Sequence, residues 1–322
     1  MNKRKILGLV ALGASVVLVV LIVVCMLMAV KFLGVADHLY THIRTEIDVP
    51  IWHISIETNI ASVSICTTET ENAYIELYDR ENAGYHISAE NGTLVIESAH
   101  LRAWYEQLGV FPQAPEMTLY LPEGIYGNLS IKSSLGRIKV SSRLLFQNVT
   151  ALTATGDVEF RASAVEEIVL TGSTGRMVVE DLVADTMELW ISTGTLTISN
   201  VTCTGNLSVG VASGKANVTD TTCRSFLSSG QSGNLSMNNV VARRNFSIDR
   251  STGNVEFNGC DAAGIYVVTG SGNVTGSLLS EKKFEIKTTS GKKDVPATTD
   301  GGKCRVTTGS GNVTMSILGD AE

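Results

Sequence analysis

Two patterns of apolar and polar residues divide this chain. From Ile6 to Val30 run 25 consecutive residues without a charge, rich in Val, Leu and Ile. A helix over that run would be about 37 Å long at about 1.5 Å per residue, enough to cross a hydrocarbon core of about 30 Å. It has no polar face, which argues against a buried core helix, and it exceeds the apolar stretch of about 7–15 residues found in signal peptides. Gly34-Val35-Ala36 offers a small-x-small pattern, so cleavage there is the alternative. Lys3, Arg4 and Lys5 precede the run, and the acidic Asp37, Glu46 and Asp48 follow Lys31. The positive-inside rule then puts residues 1–5 in the cytoplasm, a single span over 6–33, and the rest outside the plasma membrane. Leu39, Tyr40, Ile43 and Ile47 have helical spacing, which predicts a short stalk over 34–47.

The second pattern is a repeat. Ser134-Leu135-Gly136, Thr155-Gly156-Asp157, Thr174-Gly175-Arg176 and Thr193-Gly194-Thr195 open a series that continues to Ser310-Gly311-Asn312. The glycines stand at 136, 156, 175, 194, 214, 233, 253, 272, 291 and 311, always 19 or 20 residues apart. Alternating runs flank each one, such as Leu189-Trp190-Ile191 before and Leu196-Thr197-Ile198 after. A period of two means strands with one face in and one face out. A unit this small cannot bury a core alone and must stack on its own copies. The prediction is an all-β fold, a parallel β-solenoid (β-helix) of about ten coils over 126–318, with 319–322 as a tail. Val158, Leu196, Leu235, Val255, Val274 and Val313 should form an inward column. Each glycine should mark a corner needing φ > 0. No proline interrupts 124–295, as unbroken ladders require.

Residues 48–125 alternate less regularly. Ile51 to Ile56, Ser62 to Ile65, Tyr74 to Tyr78, Tyr85 to Ser88, Thr93 to Ile96 and Met117 to Leu121 read as strands of irregular starting coils that cap the solenoid. Leu101, Trp104, Tyr105 and Leu108 have helical spacing between Ser98 and Gly109. Trp104 and Tyr105 either pack over the coil end or form a partner-binding knob. The pattern breaks again at Lys292-Lys293-Asp294, and no C-terminal cap is evident. The last coil is then either loosely formed or covered by a partner or a second copy.

Charge narrows the function classes. The net charge is −7, and with Lys3, Arg4, Lys5 and Lys31 set aside the remainder holds 21 basic against 32 acidic residues, or −11. A nucleic-acid binder needs the opposite sign. All five histidines precede the repeats, so no Ser-His-Asp site is expected among the many serines, and no His stands at zinc spacing with a Cys. Catalytic, metal and cofactor sites are therefore expected to be absent. The strongest enzyme alternative, a polysaccharide-processing β-helix, would need an outer carboxylate cluster. Asp157, Glu159, Glu180 and Asp181 lie in neighbouring coils and form a candidate acidic face. Cys203, Cys223 and Cys260 recur at nearly one phase, either as a buried column of small residues or with a disulfide across coils. Ten Asn-x-Ser/Thr sequons, including Asn206, Asn234, Asn273 and Asn312, follow from the repeat itself.

The recurrent Ser/Thr-Gly-Asn/Asp-Val-x-Phe/Ile phrase, the Met117-Thr118-Leu119-Tyr120-Leu121-Pro122 lead-in and the preceding apolar segment resemble the bacterial putative-adhesin β-solenoid family, a domain of unknown function. The resemblance covers about residues 50–317 and implies a bacterial envelope protein with no catalytic residues to carry over. The expectation is a membrane-anchored, non-catalytic surface scaffold that binds a glycan, cell-wall polymer or protein. The alternative is an envelope-sensing regulatory module acting with a membrane partner.

Overall fold

The computed structural model describes residues 21–26, 40–80, 84–98 and 115–318. Of the expected membrane span only 21–26 are described; they are helical and exposed, and the rest of that expectation lies outside the described residues. Among the described residues no helix is long and apolar enough to cross a membrane.

The regular body is the expected parallel β-solenoid. Leu129↔Val149↔Ile168 shows the stacking on one face, and Ile138↔Val158↔Met177↔Leu196↔Ala216↔Leu235↔Val255 shows it on the next. Each coil has three sides. In one coil Met187, Leu189 and Ile191 point inward from the first, Leu196 and Ile198 from the second, and Val201 and Cys203 from the third. The predicted inward column is buried throughout, while Glu256, next to Val255, is exposed. Phe226, Phe246 and Phe257 add a run of ring contacts at 5.9 and 6.0 Å inside the lower coils.

The corners explain the repeat. At Gly136, Gly156, Gly175, Gly194 and Gly214 φ lies between 126° and 148°, in the region that favours glycine. At Gly233, Gly253, Gly272, Gly291 and Gly311 the expected positive φ is not found. There the constraint is steric alone: a Cβ would lie 2.7 Å from the Val211 carbonyl oxygen at Gly233, and 1.9–2.0 Å from the carbonyl oxygen of the glycine in the adjoining coil at the other four, a clash that Gly156, Gly175, Gly194 and Gly214 also carry at 1.9–2.2 Å. A second corner uses the left-handed region at Asp181, Asn200, Asp220, Asn239 and Gly259, where short polar side chains or glycine tolerate it. The Asn200 Nδ2 donates to Asp181 Oδ1 at 2.8 Å, and Asn239 Nδ2 to Asp220 Oδ1 at 2.7 Å.

All six strands expected between residues 51 and 121 are present, but they do not simply form irregular starting coils. His53–Thr58 and Ser62–Thr68 make one ordinary coil stacked under Gly124–Leu135 and Ile138–Val140. Thr93–Ser98 and Glu116–Pro122 continue each side in parallel. Antiparallel strands then close both edges: Tyr85–Glu90 on Thr93–Ser98, and Ala73–Arg80 on Glu116–Pro122. Tyr40–Ile47 is a strand paired antiparallel with Ala73–Arg80, not the expected helical stalk. Thr41, Ile43, Thr45 and Ile47 are β-branched at period two, and this pattern prevails over the helical spacing of Ile43 and Ile47.

The far end departs from chain order. Residues 255–260 still stack in chain order on Val274–Leu278, but residues 264–269 and Val274–Leu278 pair not with the following coil but with Gly302–Thr308 and Val313–Ile317. Lys282–Thr288 and Lys293–Asp294 stack outside that coil. In space the corner glycines run 272, 311, 291. The coil 302–317 is thus inserted beneath the coil that precedes it in sequence. The terminal coil packs on the body, with Phe284, Ile286 and Val295 half-buried against the core.

Candidate binding surface

The corner side chains are engaged between coils. Asn234 Oδ1 accepts the Asn254 amide at 2.9 Å, Asn254 Oδ1 that of Asn273 at 2.8 Å, and Asn273 Oδ1 that of Asn312 at 2.8 Å. Asn312 Oδ1 accepts the Lys292 amide at 2.9 Å. The ladder follows the spatial order of the coils and accounts for the recurrence of three of the sequon asparagines. Inside the corner, Thr269, Thr308 and Thr288 each donate a hydroxyl to the carbonyl of an adjoining glycine and accept the amide three residues on.

The candidate acidic face divides into paired charges. Asp157 Oδ1 accepts the Arg176 amide at 3.0 Å, and the Arg176 guanidinium lies 3.5 Å from Asp157 and 4.0 Å from Glu159. Glu180 is held by Arg161, whose Nε lies at 2.8 Å. Asp181 is a left-handed corner residue bound by Asn200. These carboxylates knit coils and sit beside cations, so they offer no isolated acid-base pair. Among the described residues no group of three His, Cys, Asp or Glu is placed to hold a metal. Trp104 and Tyr105 lie outside the described residues.

The cysteines of the repeats are free thiols. Burial pushes the Cys203 thiol up to about 11 and the Cys223 and Cys304 thiols up to about 12. They behave as small apolar core residues rather than nucleophiles.

Two buried cations were not visible in the pattern. Arg250 is 1% exposed, and its guanidinium donates to Ser228 Oγ at 2.5 Å and to the Ser229 and Val211 carbonyls at 3.2 and 3.3 Å. Burial lowers it to about 10, with Asp249 acting the other way. It fits because Gly230 leaves its place open: a Cβ there would meet the Arg250 Nη1 at 2.0 Å. Lys282 is 2% exposed and belongs to the outermost coil. Its ammonium reaches Asp261 at 2.6 Å and also binds the Ser280 hydroxyl. Lys282 lies opposite Gly302, which in turn lies against Ala263. The side chain therefore spans the inserted coil, where Gly301 and Gly302 line the same cavity of about 440 Å³.

The cap carries the aromatic surface. Tyr74 and Tyr120 stack at 4.5 Å, the Arg44 guanidinium lies 3.8 Å from the Tyr74 ring centre, and His42 lies 4.6 Å from Tyr78. Elsewhere the outer faces differ: Thr197, Asn217, Ser236, Glu256, Thr275 and Thr314 form a mostly short polar row, whereas another face mixes Leu152, Thr171, Ser229, Asp249 and Val268 with Trp190 lying over Gly210.

A three-sided parallel β-solenoid with an antiparallel cap, its polar corners committed to inter-coil bonds, defines the class of this protein. The Toastrack DUF4097 family model matches residues 51–224 and again 204–322. The chain belongs to that family, and the adhesin-type β-solenoid resemblance holds. No curated protein matches it. Among solved structures it is similar to a putative adhesin from Parabacteroides merdae, with 12% identity over 87% of this chain and 96% of that one and a TM-score of 0.49. It is also similar to a putative lipid binding protein from Parabacteroides distasonis, with 16% identity over 85% and 96% and a TM-score of 0.48. A putative adhesin from Bacteroides fragilis gives 10% identity over 86% and 97% and a TM-score of 0.41.

Proposed function

We propose that this protein is a membrane-anchored, outward-facing β-solenoid that serves as a non-catalytic binding scaffold at the bacterial surface. Its ligand would be a glycan, a cell-wall polymer or a protein. The observation that carries this reading is the division of labour among polar side chains. Corner residues bond coil to coil, whereas one outer row, Thr197, Asn217, Ser236, Glu256, Thr275 and Thr314, repeats polar side chains, short except at Glu256, at about 4.8 Å intervals along the axis. Such rows suit an extended ligand rather than a small substrate.

The uncharged run from Ile6 to Val30 supports the membrane anchor. The cap follows it directly in the chain, and nine of the eleven Tyr and Trp residues fall between Tyr40 and Tyr126. Rings with one apolar and one polar end suit the lipid–water boundary, so the cap end would face the membrane.

The test uses the full chain with a C-terminal tag in bacterial cells. The protein should remain in the membrane pellet after alkaline carbonate extraction. External protease should remove the tag from intact cells, and purified wall polymer or matrix protein should co-sediment with the detergent-solubilised chain. Release by carbonate, protection of the tag, or no binding to any of these materials would overturn the reading.

A further inference from the structure

The two ends of the solenoid differ in charge. Of the nine lysines after residue 34, six fall between 282 and 303. Lys282 and Lys303 are paired with Asp261 and Glu285. Lys283, Lys287, Lys292 and Lys293 are exposed and take no ion pair among the described residues. All four sit on the outermost coil. The backbone of Lys282–Thr288 pairs on one side only, with Gly302–Thr308, so its other edge lies open among the described residues. Lys283 and Lys287 are four residues apart on one outer face, about 13 Å by strand rise. Lys292 and Lys293 follow around the corner. A basic rim therefore terminates a body whose overall balance is −11.

We propose that this rim is the docking edge for a poly(polyol phosphate), a flexible anionic chain that can meet the rim locally where a long nucleic acid would also meet the acidic body. The inference rests on the scaffold reading above and assigns it a site and a ligand class. Charge complementarity selects the occupant. A second copy meeting the same edge would oppose lysine to lysine. Docking a second copy's acidic flank is also disfavoured, because Asp157, Glu159 and Glu180 already hold Arg176 and Arg161. Lysine meets phosphate as a point charge, without the fixed fork of arginine. Four such charges, two on each side of the corner, with the intervening Glu285 already held by Lys303 and Arg305, suit a flexible, repeating anion that engages several at once.

The test measures binding of poly(glycerol phosphate) to the full chain in detergent at low salt, with neutral dextran and glycerol 3-phosphate as comparison probes. Polymer binding should exceed that of both and weaken steeply as salt shortens the screening length. The variant K283E/K287E/K292E/K293E should lose about tenfold or more in affinity while keeping its circular-dichroism spectrum. The variant K132E/K139E/K215E, with lysines changed on the flanks instead, should stay within about twofold of the parent. Equal loss in both variants, no loss in the first, or dissociation of a self-associated species in place of polymer release would each overturn the proposal. If wall material still binds the first variant as well as it binds the parent, the rim assignment fails and the scaffold reading stands. Absence of all binding removes the scaffold reading itself.

Discussion

A glycine can be required for its dihedral or for its missing Cβ, and the corner ladder needs the second throughout and the first only at its start. The first five corners turn through positive φ as well as being closed by a carbonyl oxygen, and at Gly253, Gly272, Gly291 and Gly311 the carbonyl oxygen, about 2 Å from where a Cβ would lie, acts without it. Gly253→Ala should therefore cost about 3 kcal/mol although its φ is not left-handed, because the obstacle is backbone and cannot swing aside. Gly124→Ala, whose Cβ would meet nothing nearer than 3.9 Å, should stay within about 0.5 kcal/mol. Urea unfolding of the two variants decides the point, and equal midpoints would refute it. The identity of these residues was legible in the sequence because they recur in phase. The reason for them was only half legible, since dihedral need and steric need produce the same letter. The buried Arg250 was not legible at all: its space comes from Gly230, twenty residues earlier in the chain and adjacent only after stacking.

Strands declared themselves wherever the alternation was clear, and their partners did not. The stretch Tyr40–Ile47 satisfies both a helical spacing and a β-branched period of two, and its choice is made by Ala73–Arg80, which supplies the hydrogen bonds. The order of the last two coils was hidden for a similar reason. Val274 can be followed in the ladder by Lys293 or by Val313, since both belong to the same repeat phrase. The structure selects Val313 and clasps the arrangement with Lys282. Lys282→Ala leaves Asp261, about a quarter exposed, without its cation, and should weaken the outer coil by about 2–3 kcal/mol. Hydrogen exchange should accelerate over 282–294 and not over 186–223. Uniform acceleration, or none, would contradict the clasp. Of the acidic residues singled out by sequence, Asp157, Glu180 and Asp181 lie at corners and Glu159 mid-strand; their pairing with Arg161 and Arg176 was hidden, because a period-two reading gives the side of a strand but not the cation that faces it.

At the scale of the molecule the buried thiols make stability depend on alkaline pH. A thiol whose folded value is raised from the ordinary 9.0 to about 11 or 12 favours the fold while neutral. That contribution is fully present below about pH 9, where the unfolded chain also keeps its thiols protonated. It is lost as pH rises through the folded values, since unfolding then releases protons. Melting temperature should fall between pH 9 and 11, and more shallowly in a Cys203→Ala/Cys223→Ala/Cys304→Ala variant. Identical slopes would refute the assignment. The solenoid as a whole was the most legible feature, because ten phased copies leave few other ways to bury so small a unit. The antiparallel cap was the least, because pairings such as Ile47 with Ala73 and Ile75 with Leu119 join segments with no common repeat.

The interleaved final coils impose an order of events on biosynthesis. Residues 282–294 leave the ribosome before 302–317, at a moment when the rung exposed by residues 264–269 and Val274–Leu278 is still vacant. They can occupy it at once, since their repeat phrase fits. A coil settled there would have to let go and climb one level to admit the latecomer. Refolding of the full chain is therefore expected to show a slow phase that a chain stopped at residue 301 lacks, and equal kinetics for the two would refute such an exchange.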